Sequence, residues 1–462
     1  MGETIHPEGA RKEPMEFLVS TTDEVLLPQS GLALVGIVLQ DSQLRRRIDA
    51  LRVEGCTRPE VPHGDVVAAM IGLLCLGKSD FNDIESFRQD EFFRRALGLR
   101  QIPSEPTLRQ RLDAMGDAGG TILREESALL VRRHGALTPC HGRWVALDVD
   151  VSPFDNSGTK KEGVSWTYKK VDGYAPIFAY LGEEGYLVHC QLREGKQHGQ
   201  DGTPRFLDEA LTYAERITEA KLLVRLDSGN DAIENIRVCR KHNADWIIKR
   251  NPRKESPEDW LEEAQCHGEC EEPREGKQIW TGETWREREG KPYRVVFEVT
   301  HRTIDAQGQR LLVPDIAVNT WWTSLRLPAK TVIALYHAHG TSEPYHSEIK
   351  TDMDLERLPS GKFATNAAVL SLGLLAYNLL RLCGQAALAQ QRRLPADERA
   401  PLEKPVLRRR LRSVIEDLMH LAAKLVRHAK RWKLVFWRNS RWGATWRGLY
   451  ARFSGAPCVR SG

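Results

Sequence analysis

Two short apolar runs that each end on an acid constrain this chain more than anything else in it. Trp144-Val145-Ala146-Leu147 leads into Asp148 and Asp150, and Leu222-Leu223-Val224-Arg225-Leu226 ends on Asp227. Short apolar runs of this kind predict buried strands. Asp148 and Asp150 share a strand face by the period of two. Asp227 precedes Ser228-Gly229-Asn230, a turn that leaves its carboxylate at the sheet edge.

Around these runs the pattern switches from a hairpin meander to alternating helices and strands. Residues 164–168 and 175–180 are β-rich, and residues 186–192 follow a Glu-Glu-Gly turn as a hairpin partner. Residues 206–217 predict an amphipathic helix, 222–227 a strand, 232–239 a helix and 246–249 a strand. That order predicts the α/β class, a ribonuclease-H-like mixed sheet flanked by helices. The expected catalytic domain covers residues 141–385, with a β-rich insertion at about 251–328 that ends on Trp321-Trp322. The tryptophan pair reads either as a sheet-packing pair or as a platform for a base at a DNA end.

Residues 1–140 read as a helical N-terminal region that contacts DNA. Within Ser104-Glu105-Pro106-Thr107-Leu108-Arg109-Gln110-Arg111, Ser104 is a helix cap and Pro106 sits in the first turn. Arg109 and Arg111 then project from a short helix after a turn. This suits a helix-turn-helix recognition helix and equally an ordinary helical bundle. Residues 386–462 form a basic tail, read as helical. Its arginines and lysines interleave with Trp432, Phe436, Trp437, Trp442 and Trp446, a composition that favours a polyanion partner over a solvated face.

At 462 residues the chain is long enough for two or three domains, and its net charge of +4 says little about partners. Nine cysteines are scattered without zinc spacing, and Cys266-His267 with Cys270 lacks a second pair. No basic segment leading into an apolar run marks a secretory signal, and the apolar stretch 367–382 reads as a buried core helix. A cytoplasmic, nucleoid-associated protein with no membrane partner is expected.

Further along, Tyr336, His339, Glu343 and Lys350 stand at offsets of three, seven and fourteen residues, close to whole helical turns at ~100° per residue. On a continuous helix they would form one stripe; Pro344, directly after Glu343, would bend it if Gly340-Thr341-Ser342 broke the helix and capped a new one. Glu348 competes with Glu343 as the third acid; the two lie about 140° apart and cannot face the same site. Two strand-borne carboxylates and one helix-borne carboxylate are what a pair of divalent metals needs for cutting and joining phosphodiesters.

These residues carry a resemblance. Tyr336-x2-His339-x3-Glu343-x6-Lys350 resembles the Tyr-Arg-Glu-Lys signature of bacterial insertion-sequence transposases of the DDE type. Asp227-Ser-Gly-Asn is similar to that family's second-acid turn, and Asp150-Val-Ser152 to its first-acid motif. Leu358-Pro359-Ser360 through Phe363, Asn366 and Leu375-Ala376-Tyr377-Asn378-Leu379 resemble the sequence after the third acid. Asp83, Phe92 and Ser104-x-Pro106-Thr107-Leu108 extend the likeness upstream, so that it covers roughly residues 60 to 385. The resemblance implies Asp150, Asp227 and Glu343 as the metal-binding triad; from the shared strand face alone, either Asp148 or Asp150 is the first acid, with the other as its neighbour at the metal. It also implies two Mg²⁺ ions, for which Mn²⁺ would substitute. Tyr336 and Lys350 would hold phosphate; His339 replaces the family's arginine and lacks its bidentate fork. Trp321 or Trp322 would stack on a base at the cleaved end.

The implied activity is cleavage at terminal inverted repeats and joining of the 3′ ends to target DNA, by a homodimer in the synaptic complex. A nuclease of the same fold and a catalytically idle, transposase-derived DNA-binding protein are the competing readings.

Overall fold

The computed structural model describes residues 21–56, 59–252, 254–338, 343–400, 406–429 and 431–455. Strand β1 (Val25–Leu27) precedes a helical region of α1 (Leu32–Leu39), α2 (Leu44–Asp49), α3 (His63–Cys75), α4 (Glu91–Ala96), α5 (Glu105–Met115) and α6 (Gly120–His134). Asp90 caps α4 by accepting from the Phe92 and Phe93 amides at 2.8 and 2.9 Å. Ser104 caps α5 from the Thr107 amide at 3.3 Å, with proline in the first turn as the sequence predicts.

The central sheet is mixed. It begins with β2 (Trp144–Val151), followed by the short strands β3 (Phe154–Asp155), β4 (Ser165–Trp166) and β5 (Asp172–Tyr174), which form a small sheet of their own. Then come β6 (Ile177–Leu181), β7 (Tyr186–Gln191), α7 (Thr203–Ile217), β8 (Lys221–Leu226), α8 (Ile233–Lys241) and β9 (Asp245–Lys249). Strand β2 pairs antiparallel with β6 and parallel with β8, and β8 pairs parallel with β9. The meander-then-alternation pattern therefore becomes one sheet with its parallel strands at the centre. Those strands are mostly apolar because helices cover both faces, with Asp148, Asp150 and Arg225 among the charged exceptions in β2 and β8.

The insertion expected at 251–328 consists of α9 (Pro257–His267) and four strands, β10 (Glu269–Arg274), β11 (Lys277–Arg288), β12 (Lys291–Ile304) and β13 (Arg310–Thr323). It is continuous with the central sheet. Trp321 to Thr323 of β13 pair with Lys249 to Ile247 of β9, giving nine strands in the order β10-β11-β12-β13-β9-β8-β2-β6-β7.

After β13 come α10 (Ala329–His337), α11 (Glu343–Ser347) with a π-helical turn over Glu348–Asp352, and α12 (Phe363–Arg393). Among the described residues α12 is the one helix long and apolar enough to cross a membrane, and 94% of its apolar window is buried inside the fold. It is the core helix that the sequence predicts, packed on α3, α5, α6 and β7. One of its buried amides, Asn378, ties it to the edge of the sheet. Asn378 accepts from the Leu187 amide at 2.9 Å and donates to the Leu187 carbonyl at 2.7 Å, satisfying both backbone groups of an edge-strand residue.

The C-terminal region corrects the expected helical tail. Beyond α12 it contains α13 (Leu411–Val414) with a π-helical turn over Ile415–Met419, a hairpin of β14 (Ala423–His428) and β15 (Arg431–Val435), and α14 (Gly443–Ser454). The hairpin pairs with β1, and α14 packs on α1 and α12, so the tail is folded into the N-terminal helices.

Candidate active site

Strands β2 and β8 run parallel with Asp148 opposite Arg225 and Val149 opposite Leu226. The next step along both strands sets Asp150 beside Asp227, about 4.8 Å apart at the backbone. Two residues before this carboxylate pair lies an ion pair. Arg225 donates to both Asp148 oxygens at 2.5 and 2.6 Å and to the Leu335 carbonyl of α10 at 2.8 Å. Sequence reasoning placed Asp148 among the metal contacts. The structure instead buries it with each oxygen engaged by the guanidinium, where it neutralises a buried charge.

The two exposed-end acids are each oriented by a neighbour. Asn230 donates its amide to Asp227 Oδ1 at 2.7 Å, and Asn235 in turn donates to the Asn230 carbonyl at 2.8 Å. The Ser-Gly-Asn turn is a one-turn 3₁₀ element, Ser228–Asn230, that curls this asparagine back under the acid. Asp150 Oδ1 accepts from the Val151 amide at 2.7 Å, while Oδ2 lies 3.1 Å from His346 Nε2. The other ring nitrogen, Nδ1, lies 3.3 Å from the Tyr180 hydroxyl.

His346 was missed by the sequence reading, although it stands three residues past Glu343 and so one turn along the same helix. Its contact with Asp150 brings α11 to the carboxylate pair. Tyr345 anchors the same helix on the other side: its hydroxyl donates to the Glu183 carbonyl at 2.9 Å, and its ring lies over Gly185. A side chain at Gly185, where φ is +69°, would collide with that ring at 2.5 Å. Glu343 opens α11, with Pro344 in the first turn; the residues expected as one continuous stripe are divided between α10 and α11. The side chain of Glu343, and His339 altogether, lie outside the described residues. Among the described residues no group of three or more His, Cys, Asp or Glu gathers to hold a metal ion. The described acids therefore supply a pair.

Glu348, the rival third acid, is committed elsewhere. Only 1% of its side chain is exposed; Arg381 contacts one oxygen, and Arg408 Nη1 lies 2.7 Å from the other. The Tyr377 hydroxyl donates at 3.2 Å and the Leu411 amide at 3.2 Å. One turn on, Asp352 accepts from Arg410 Nε at 2.9 Å and from the Arg412 amide at 3.0 Å. The basic residues 408–412, expected as part of a polyanion surface, are thus in large part counter-charges for the helix that follows the candidate acid.

Tyr336 and Lys350 are both drawn to the acids. Tyr336, 9% exposed, packs its ring on Trp321 at 5.5 Å. Burial raises its hydroxyl above the usual tyrosine range, and the charges of Asp227, Asp150 and Asp148 add to that. Lys350 donates to the Pro153 carbonyl at 2.5 Å, just past the end of β2. Burial lowers its pKa, and Glu356 and Asp150 oppose that shift.

Other expected contacts go elsewhere. Trp321 is fully buried between α10 and the sheet, and Trp322 donates its indole N–H to Asp231 at 2.9 Å while Arg250 lies over its ring. Neither ring has an open face for a base; they are the sheet-packing pair. Arg111 turns inward to the Val61 carbonyl at 3.1 Å and His63 Nδ1 at 2.9 Å, tying α5 to the start of α3. Arg109 is exposed and paired with Glu105 on its own helix. Cys266 and Cys270 are exposed free thiols.

No curated protein matches the sequence. A cryo-EM structure of the piggyBac transposase synaptic complex with hairpin DNA aligns over 77% of this chain and 74% of that one, at 11% identity and a TM-score of 0.35. A family model described as transposase DDE domain, group 1, matches residues 19–457. With nearly its whole length covered by that model, the chain belongs to the DDE-domain transposases.

Proposed function

We propose that this protein is the transposase of an insertion sequence, cleaving at terminal inverted repeats and joining the 3′ ends to target DNA. Asp150, Asp227 and Glu343 are its three acids. The observation that carries this reading is the in-register placement of Asp150 beside Asp227, with His346 holding α11 against Asp150. Position 343 opens the helix that His346 holds against Asp150, one turn before that histidine, which supports Glu343 as the third acid. The strand order and the covering helices support a ribonuclease-H-like reading of the catalytic sheet.

The donor set fits divalent magnesium, since two carboxylates at a sheet edge and one on a helix are hard oxygen ligands. Two such ions, Mg²⁺ or Mn²⁺, would supply an activated water and charge compensation on the leaving oxygen. The chain's own residues do the rest. Asn230 and His346 fix the two strand acids before any ligand arrives. The Asp148–Arg225 pair holds β2, β8 and the end of α10 in one rigid unit. The Tyr336 hydroxyl and the Lys350 ammonium lie where a phosphate reaching the acids would pass, the first as a hydrogen-bond donor and the second as a positive charge. Joining two element ends requires two copies of the chain on DNA.

The test is cleavage of a DNA carrying the flanking inverted repeats. The wild type should cut it with Mg²⁺ or Mn²⁺ and stop with a chelator, and alanine at 150, 227 or 343 should abolish cutting. A pre-cut end joined to a second DNA by the wild type separates a transposase from a nuclease. Binding without cutting under any divalent metal would mark an idle DNA-binding descendant and overturn the proposal.

A further inference from the structure

The helix that begins at Glu343 is too short to hold its own shape. Five residues of α11 and the five-residue π-helical turn carry it only to Asp352, short of the roughly 12–15 residues an isolated helix needs. Its position is therefore set by what touches it. One side meets the strand of Asp150: His346 lies 3.1 Å from that acid, and Lys350 donates to the Pro153 carbonyl at 2.5 Å. Glu348 and Asp352 each stand two residues further on, roughly opposite on the helix.

That opposite side is gripped by residues 408–412 of the C-terminal region, and the contacts repeat. Glu348 accepts from Arg408 Nη1 at 2.7 Å and from the Leu411 amide at 3.2 Å. Asp352 accepts from Arg410 Nε at 2.9 Å and from the Arg412 amide at 3.0 Å. Each helix acid thus receives one guanidinium and one backbone amide. Arg408 also lies over the Tyr345 ring at 4.4 Å, and Arg410 donates to the Ser347 hydroxyl at 3.1 Å. Arg409, between them, turns the other way. Its guanidinium lies over the Trp442 ring at 4.0 Å, and its carbonyl accepts from Arg381 of α12 at 2.6 Å. Downstream, the Met419 carbonyl accepts from the Gly31 amide at 3.1 Å, just before α1. The segment is anchored to α12, to Trp442 and to the N-terminal region, and from there it holds the short helix against β2.

We propose that residues 408–412 are a positioning strap for the third acid. Arg408 and Arg410, acting through Glu348 and Asp352, fix the helix at whose start Glu343 stands, without touching DNA themselves. This rests on the reading of Glu343 as the third acid. The same charges would also suit a phosphate contact, and Arg410 separates the two roles. Its side chain is 51% exposed, and an ion pair made by so exposed a group contributes little to folding.

The experiment uses the full chain. In the metal-free protein, Arg410→Ala should speed amide hydrogen exchange at residues 345–352 about tenfold, while the urea midpoint stays near that of the wild type. With Mg²⁺ and saturating inverted-repeat DNA, its cutting rate should fall about 10- to 100-fold, the cost of a small misplacement imposed from outside the chemistry. DNA affinity without metal, and its salt dependence, should match the wild type. Arg410→Ala combined with Asp352→Asn should cut no more slowly than the slower single variant, because both break one contact. Unchanged exchange, or an unchanged cutting rate, in Arg410→Ala would overturn the strap. So would a weaker DNA affinity with the slope of log affinity against log salt reduced by about 0.9, the mark of a lost phosphate contact. Should Glu343→Ala cut as the wild type does, the reading of the third acid falls instead, and the exchange result still decides whether the strap orders this helix.

Discussion

Asp148 and Arg225 face each other on adjacent parallel strands, both 2% exposed, and share two hydrogen bonds of 2.5 and 2.6 Å. The pair locks the register of β2 on β8 two residues before the sheet edge, and with it the side-by-side placement of Asp150 and Asp227. Because the guanidinium also holds the Leu335 carbonyl, the same lock sets α10 and Tyr336.

Breaking that lock should cost stability. Arg225→Met leaves Asp148 as an unpaired buried charge, a loss of about 3–5 kcal/mol. Urea unfolding of Arg225→Met, Asp148→Asn and the double variant should show the double recovering much of that loss.

Glu343 and Glu348 should separate cleanly by experiment. Glu343→Gln should remove metal-dependent cutting by a factor of about 10³ or more with no change in the urea midpoint. Glu348→Gln should lower the midpoint, because Arg381 and Arg408 lose their charged partner. If Glu348→Gln unfolds as the wild type does while Glu343→Gln still cuts DNA, the assignment of the third acid is reversed.

Tyr336→Phe keeps the ring against Trp321 and removes only the hydroxyl. Stability should fall by no more than about 0.5–1.5 kcal/mol, the net worth of one hydrogen bond. Cutting should fall roughly 10- to 100-fold, the worth of one hydrogen bond to a charged group. A gel-based cleavage assay at saturating DNA reads the difference.

The stability of the fold should fall in mild acid through His189. Burial is the main cause that lowers this histidine to about 4, against the opposing contact with Glu209 at 3.1 Å. Protons then bind the unfolded chain more readily than the folded one. The contribution is therefore complete above the ordinary histidine value near 6.5 and is lost as pH falls from there to about 4. The loss should reach roughly 3 kcal/mol and should be much reduced in His189→Phe, as followed by urea midpoints across that range.

The strands, the core helix and the Asp150–Asp227 pair were legible because their signals are local. An apolar run with a terminal acid and an amphipathic stretch such as that of α7 are written in consecutive residues. Pro344 carried the signal for the division between α10 and α11, against the helical offsets that favoured one continuous stripe. What stayed hidden depends on distant partners. Residues 408–412 carry the same charges whether they face DNA or the buried Glu348 and Asp352, and nothing near them in sequence tells which. Trp321 and Trp322 alternate along a strand identically whether a helix covers them or a base does. Asp148 and Asp150 differ by two residues, and only Arg225 across the strand distinguishes them. His346 could have been found by extending the stripe three residues past Glu343.

The amide of Asn378 on the Leu187 backbone has a consequence for how such a protein lives with its own copies. A nine-stranded sheet has two rims where a foreign strand could anneal. At the β7 rim this side chain already occupies the hydrogen-bonding groups of Leu187. At the other, β10 reads Glu-Cys-Glu-Glu-Pro-Arg, whose carboxylates repel a like neighbour and whose proline breaks the ladder. Crowded together, molecules so trimmed stay separate instead of knitting into fibres.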